Sequence, residues 1–67
     1  MSERLKNRLR ELRSARNLTQ AELAALVNVS RKTINTVENG VFIPSTVLAL
    51  RLAQTLDTTV EDLFQLT

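Results

Sequence analysis

Five of the six residues from 31 to 36, namely Arg31, Lys32, Thr33, Asn35 and Thr36, carry most of the recognition chemistry in this sequence. Arginine and lysine can donate to guanine. Asparagine can bind adenine in bidentate fashion, and a threonine methyl can pack on the methyl of thymine. All five fall in the N-terminal half of a stretch, Ser30 to Gly40, that reads as one short helix. That half of a helix is the part that enters a DNA major groove. Its free amides and dipole also attract phosphate. The competing reading is a solvated face, since exposed charges are the rule on helices. The elements that must position these residues decide between the two.

Those elements lie between Thr19 and Gly40, TQAELAALVNVSRKTINTVENG, which reads as two short helices and a tight turn. Thr19 can cap the first helix, and Glu22, three residues on, can reach back to the Thr19 amide as a capping box. Leu18 and Leu23 form the matching hydrophobic staple. Leu23, Ala24 and Val27 recur at helical spacing and should face inward. Asn28 tolerates the left-handed conformation that helix ends often need. Ser30 then caps the second helix, with Val29 and Ile34 as its staple. Ile34 and Val37 point to the core, and Gly40 ends the helix. The turn is three or four residues long, as a helix-turn-helix requires.

Composition narrows the classes. The chain has 67 residues, no cysteine and no histidine. One domain, residues 1–67, with a small core is expected, of a size that often gains stability from oligomerisation. No disulfide or thiolate site is available, and the commonest general base and metal ligand is missing. With no glycine-rich loop and no nucleophile–base pair, an enzyme is not expected, nor is a metal or other cofactor. The first residues lack an apolar signal core, so the expected location is cytoplasmic. Net charge is only +2, but residues 1–32 hold eight basic and three acidic side chains, whereas residues 33–67 hold one basic and four acidic. A basic half and an acidic half point to one polyanion-binding side and another kept off it.

A first helix is predicted from about Glu3 to Arg16, with Leu5, Leu9 and Leu12 as its apolar stripe and an arginine-rich polar face, mostly solvated. Asn17 is a left-handed stop. After a loop at Val41–Pro44, Ser45 caps a fourth helix whose Leu48, Ala49, Leu52, Ala53 and Leu56 form a wide stripe. Val47 and Leu50 add apolar surface beyond it, so this helix is expected to be covered on more than one side. Thr59 caps a last helix, with Asp62 completing a box-like pair. Val60, Phe64 and Leu66 there exceed what five short helices should bury. Surplus apolar surface usually marks a partner site; for Phe64, folding back into its own core is the alternative.

The ordered set Leu18-Thr19-Gln20, Glu22-Leu23-Ala24, Val29-Ser30, Ile34, Glu38-Asn39-Gly40 and Pro44-Ser45 resembles the lambda-repressor-like, or XRE-type, helix-turn-helix family. The resemblance spans roughly Leu5 to Phe64 and is strongest to small, stand-alone dimeric repressors. It implies an all-α, compact five-helix fold with the helix-turn-helix in helices 2 and 3, and binding to double-stranded DNA. It also implies phosphate contacts from Gln20 and Asn39, the latter with helix capping as its alternative role. Arg13, at the edge of the first helix's stripe, would pair with Glu38; a phosphate contact by Arg13 is the competing assignment. Many relatives carry Lys or Arg in the loop where this chain has Val41, Phe42 and Ile43. Phe42 is therefore expected to pack under the loop, the backbone of DNA being the alternative. By the family pattern Val60, Phe64 and Leu66 would form a two-fold dimer interface.

The expected function is a homodimeric repressor that reads an inverted-repeat operator, with Arg31, Lys32, Asn35 and Thr36 on base edges and Gln20, Thr33 and Asn39 on phosphate. The alternative is an antitoxin-type module of the same fold, with a protein partner on the acidic, apolar C-terminal half.

Overall fold

The computed structural model of the chain describes residues 4–67. Its order is β1 (Leu5–Asn7), α1 (Leu9–Ala15), α2 (Gln20–Leu26), α3 (Arg31–Glu38), α4 (Thr46–Thr55), α5 (Val60–Leu63) and β2 (Phe64–Leu66). Four helices start at a hydroxyl cap. The side chains of Thr19, Ser30, Ser45 and Thr59 accept from the amides of Glu22, Thr33, Leu48 and Asp62. Only Thr19 has the full box, its own amide donating to Glu22 Oε1 at 2.9 Å. Helix ends are marked by positive φ at Asn17 (57°), Asn28 (62°), Gly40 (74°) and Asp57 (55°). Each lets the chain reverse within a residue or two. Gly takes this conformation without steric cost, and Asn and Asp reach it because their short polar side chains can hydrogen-bond locally.

The five helices are accompanied by a two-stranded ribbon that the periodicity did not indicate. β1 and β2 pair antiparallel, with Leu5 opposite Leu66 and Asn7 opposite Phe64. The first helix is correspondingly shorter than expected. The expected start at Glu3 lies outside the described residues, and Leu5–Asn7 is extended. Asn7 sets the new start, its Oδ1 accepting from the Leu9 amide at 3.0 Å, while the Arg8 amide is held by the Leu63 carbonyl at 2.9 Å. The cause is non-local. Strand pairing satisfies backbone groups at both ends of the chain, which a helix over the same residues would satisfy internally.

One core joins the helices: Leu9, Leu23, Ala24, Val27, Ile34, Val37, Leu48, Ala49, Leu52, Ala53, Leu56, Leu63 and Phe64. Two expectations fail here. Phe42 does not pack under its loop; it is 47% exposed, between the open side chains of Val41 and Ile43. The amides of Val41 and Phe42 both end on the Thr36 carbonyl, at 2.9 and 3.2 Å. The loop backbone is thereby pinned to the last turn of α3, and the core closes without the ring. Nor is α4 covered on more than one side, because Val47 and Leu50 are open to solvent.

Candidate nucleic-acid interface

α3 is fixed from behind and open in front. Ile34 and Val37 have no solvent exposure, whereas Arg31 and Lys32 are exposed and Thr33, Asn35 and Thr36 are half-buried. Among the described residues neither Arg31 nor Lys32 takes part in an ion pair. The Ser30 and Thr33 hydroxyls are 3.0 Å apart. The Thr36 hydroxyl donates to the Thr33 carbonyl at 3.0 Å. Its proton is thus spent inside the helix, which leaves its methyl and oxygen lone pairs for a ligand.

The end of α3 is anchored by Glu38. Its side chain has 0% exposure, and Arg13, at 13%, meets it with a fork: Nε to Oε2 at 2.6 Å and Nη2 to Oε1 at 3.2 Å. Arg13 Nη1 also donates to the Leu18 carbonyl at 2.8 Å. One guanidinium therefore ties α1, the entry to α2 and the end of α3 together. Such forked pairs fix geometry as well as supplying energy. Gln20 Nε2 donates to Glu38 Oε1 at 3.0 Å and Arg10 Nε does so at 3.5 Å. Gln20 keeps one Nε2 hydrogen for an outside acceptor.

Burial is the largest single influence on the Glu38 carboxyl and pushes its pKa up. The hydrogen bonds from Arg13, Gln20 and Arg10, with the Arg13 charge, together outweigh it and hold the group below its ordinary 4.5. The hydrogen bond to Glu38 raises Arg13 in return. A carboxyl depressed in the folded state contributes stability that is full above its unfolded pKa and lost as pH falls through its folded one. Glu38→Gln should therefore flatten the acid limb of a stability–pH curve below about pH 4.5. Denaturant titrations across that range measure it. Parallel limbs for the two proteins would assign the acid loss to another carboxylate.

Asn39 follows α3 as an exposed C-cap. Its Oδ1 accepts from Arg10 Nη2 at 3.2 Å, and its Nδ2 donates to Asn35 Oδ1 at 3.3 Å. Gln20, Asn39, Arg13 and Glu38 thus meet in one network with Asn35. Two residues that hold α3, one inside this network and one beside it, are not identified by the sequence. Arg10 lies on the arginine-rich face of the first helix, which the sequence reads as mostly solvated. Asn7, whose Nδ2 donates to the Val37 carbonyl at 2.9 Å, ties the ribbon to α3. Neither had a signal in the sequence, because the expected helix runs through Asn7 and places Arg10 on its polar face.

The residues expected at a dimer interface separate. Phe64 is buried in its own core, because the ribbon turns it inward, and only its edge remains on the surface. Val60, with Leu5, Pro44, Leu50, Ala53 and that edge of Phe64, lines an open apolar groove of about 600 Å³. Leu66 is exposed on β2 and is not part of the groove wall. Among the described residues no His, Cys, Asp and Glu group is arranged to hold a metal ion, and no helix is long and apolar enough to cross a membrane.

A capped α2, a left-handed Asn28 turn and a rigidly backed α3 with an open cationic start define a helix-turn-helix unit. The Helix-turn-helix family profile matches residues 9–63. The chain belongs to that lambda-repressor-like family of DNA-binding transcriptional regulators. It is 42% identical over 60 residues to the uncharacterized HTH-type transcriptional regulator MJ0272 of Methanocaldococcus jannaschii, covering 90% of this chain and 91% of that one. The crystal structure of the restriction-modification controller protein C.AhdI from Aeromonas hydrophila superposes with a TM-score of 0.77. The two are 42% identical, over 82% of this chain and 83% of that one. A shorter similarity, 48% over 33 residues, covers 49% of this chain and 33% of the putative antitoxin HigA2 of Mycobacterium tuberculosis.

Proposed function

We propose that the protein is a homodimeric repressor that reads an inverted-repeat operator through two successive major grooves. The observation that carries this reading is the open, unpaired start of α3 on a helix locked in place by Ile34, Val37 and the Arg13–Glu38 fork. Rigid backing is what a base-reading helix needs, because readout depends on side chains arriving in register. Arg31, Lys32, Asn35 and Thr36 read base edges. Gln20, Thr33 and Asn39 position the domain on phosphate, contacts that set register without carrying sequence information. Binding over a promoter excludes polymerase, in the cytoplasm.

The second copy of the chain seats on the apolar groove lined by Val60 and the exposed Leu50, with Leu66 exposed on β2 outside the groove wall. Phe64 contributes only its exposed edge. A two-fold interface presents the same patch from both subunits, so this groove would be filled by its own counterpart.

Selection from random duplex DNA at about 150 mM salt, where non-specific phosphate binding is already weak, is the test. The expected product is a palindrome with half-sites roughly 34–36 Å apart, one helical turn. Enrichment of nothing, with binding that fades uniformly as salt rises, would overturn it. That result would favour the second reading, a protein-binding module. The similarity to the putative antitoxin HigA2 and the open Val41-Phe42-Ile43 surface support that alternative.

A further inference from the structure

The geometry points to Arg10 and Asn39 as positioning residues that set the polarity of Asn35, so that Asn35 offers its amide donors to DNA and selects guanine over adenine. This rests on the reading of Asn35 as a base contact. The reasoning starts from a group with no ambiguity. A guanidinium can only donate, and Arg10 is tethered by Glu38 Oε1, 3.5 Å from its Nε. The Asn39 atom 3.2 Å from Arg10 Nη2 must therefore be the oxygen. That turns the Asn39 nitrogen toward Asn35, where it donates across 3.3 Å. The Asn35 atom receiving it must be the oxygen in turn. Asn35 is left with both Nδ2 hydrogens and one spare lone pair.

Guanine shows two acceptors, N7 and O6, in the major groove, whereas adenine shows one acceptor and one donor. An outward-facing NH₂ group matches the first edge with both hydrogens. It matches adenine only if Oδ1 also turns outward, which the Asn39 bond opposes. The relay thus changes the base expected from an unconstrained asparagine.

The test is competition binding to four duplexes that differ only at the base pair contacted by Asn35, taken from the selected operator. Asn35→Ala identifies that pair as the one whose preference it erases. Wild type should prefer guanine over adenine there by about tenfold, the discrimination of one good paired contact. Asn39→Asp leaves only acceptors at 39, so Asn35 must turn its nitrogen inward and its oxygen out. The guanine preference should then invert toward adenine or cytosine, which carry donors. The added charge weakens all four duplexes alike and cancels in the ratio. Arg10→Ala frees Asn39 to turn either way and should bring the ratio toward one. If both variants keep the wild-type ratio, or if wild type itself prefers adenine, the relay is overturned while Asn35 remains a base reader. If Asn35→Ala erases no preference, the base-reading assignment fails first.

Discussion

Arg13→Ala is expected to lower the midpoint of thermal unfolding by roughly 12 °C or more. Removing one partner of a buried ion pair costs about 3–5 kcal/mol, and in a domain of this size each kcal/mol is worth about 4–8 °C. The reason lies in Glu38, whose side chain has no contact with solvent. Without Arg13 its carboxylate keeps only Gln20 and the longer contact to Arg10, and the Leu18 carbonyl loses its donor. Arg13→Lys should recover only part of the loss, since an ammonium cannot reproduce the fork. Arg13→Met combined with Glu38→Leu should recover more than either single change, because no charge is then stranded. Calorimetry of wild type, Arg13→Ala, Arg13→Lys, Arg13→Met, Glu38→Leu and the double variant measures the pattern. An Arg13→Ala protein that melts within about a degree or two of wild type would show the pair to be no stronger than an exposed one.

Asn35→Ala should weaken binding to the selected operator by about 1–3 kcal/mol, roughly fivefold to 150-fold, and leave random duplex almost unaffected. Asn35 is half-buried on the open face of α3. It carries no charge, so its loss releases no counterions and should not alter the salt slope. Lys32→Ala is the informative contrast. As a base reader it should lose more on operator than on random DNA, whereas an equal fall on both with a salt slope lower by about one would make it a phosphate contact. Titrations at several salt concentrations separate the two behaviours. Equal losses on operator and random DNA for Asn35→Ala would remove it from the set of base readers.

The local elements were legible because their causes are local. Thr19, Ser30, Ser45 and Thr59 announce helix starts by a hydroxyl three residues before the amide each one caps. Asn17, Asn28 and Gly40 announce helix ends by tolerating positive φ. The apolar spacing within each helix named most of the core, from Leu9 and Leu23 to Leu52 and Leu56. Phe42 and Phe64 illustrate the limit. Both are large apolar side chains near turns; Phe42, expected under its loop, is exposed, and Phe64 follows the alternative of folding into its own core. Which of them is buried depends on where the loop after α3 and the ribbon place the backbone, not on hydrophobicity.

By itself, then, the sequence determined the helix-turn-helix, its caps and the set of residues available to a ligand, since each depends on neighbours within about four positions. Only the tertiary structure decided that Leu5–Asn7 is a strand, that Phe64 turns inward, and that Arg10, Asn39 and Asn35 form one hydrogen-bonded line. The ribbon joins residues 57 to 61 positions apart and the Arg10–Asn39 bond spans 29, with only the last link, Asn39 to Asn35, lying within one helical turn. No periodicity records such separations, and only packing brings the partners within reach.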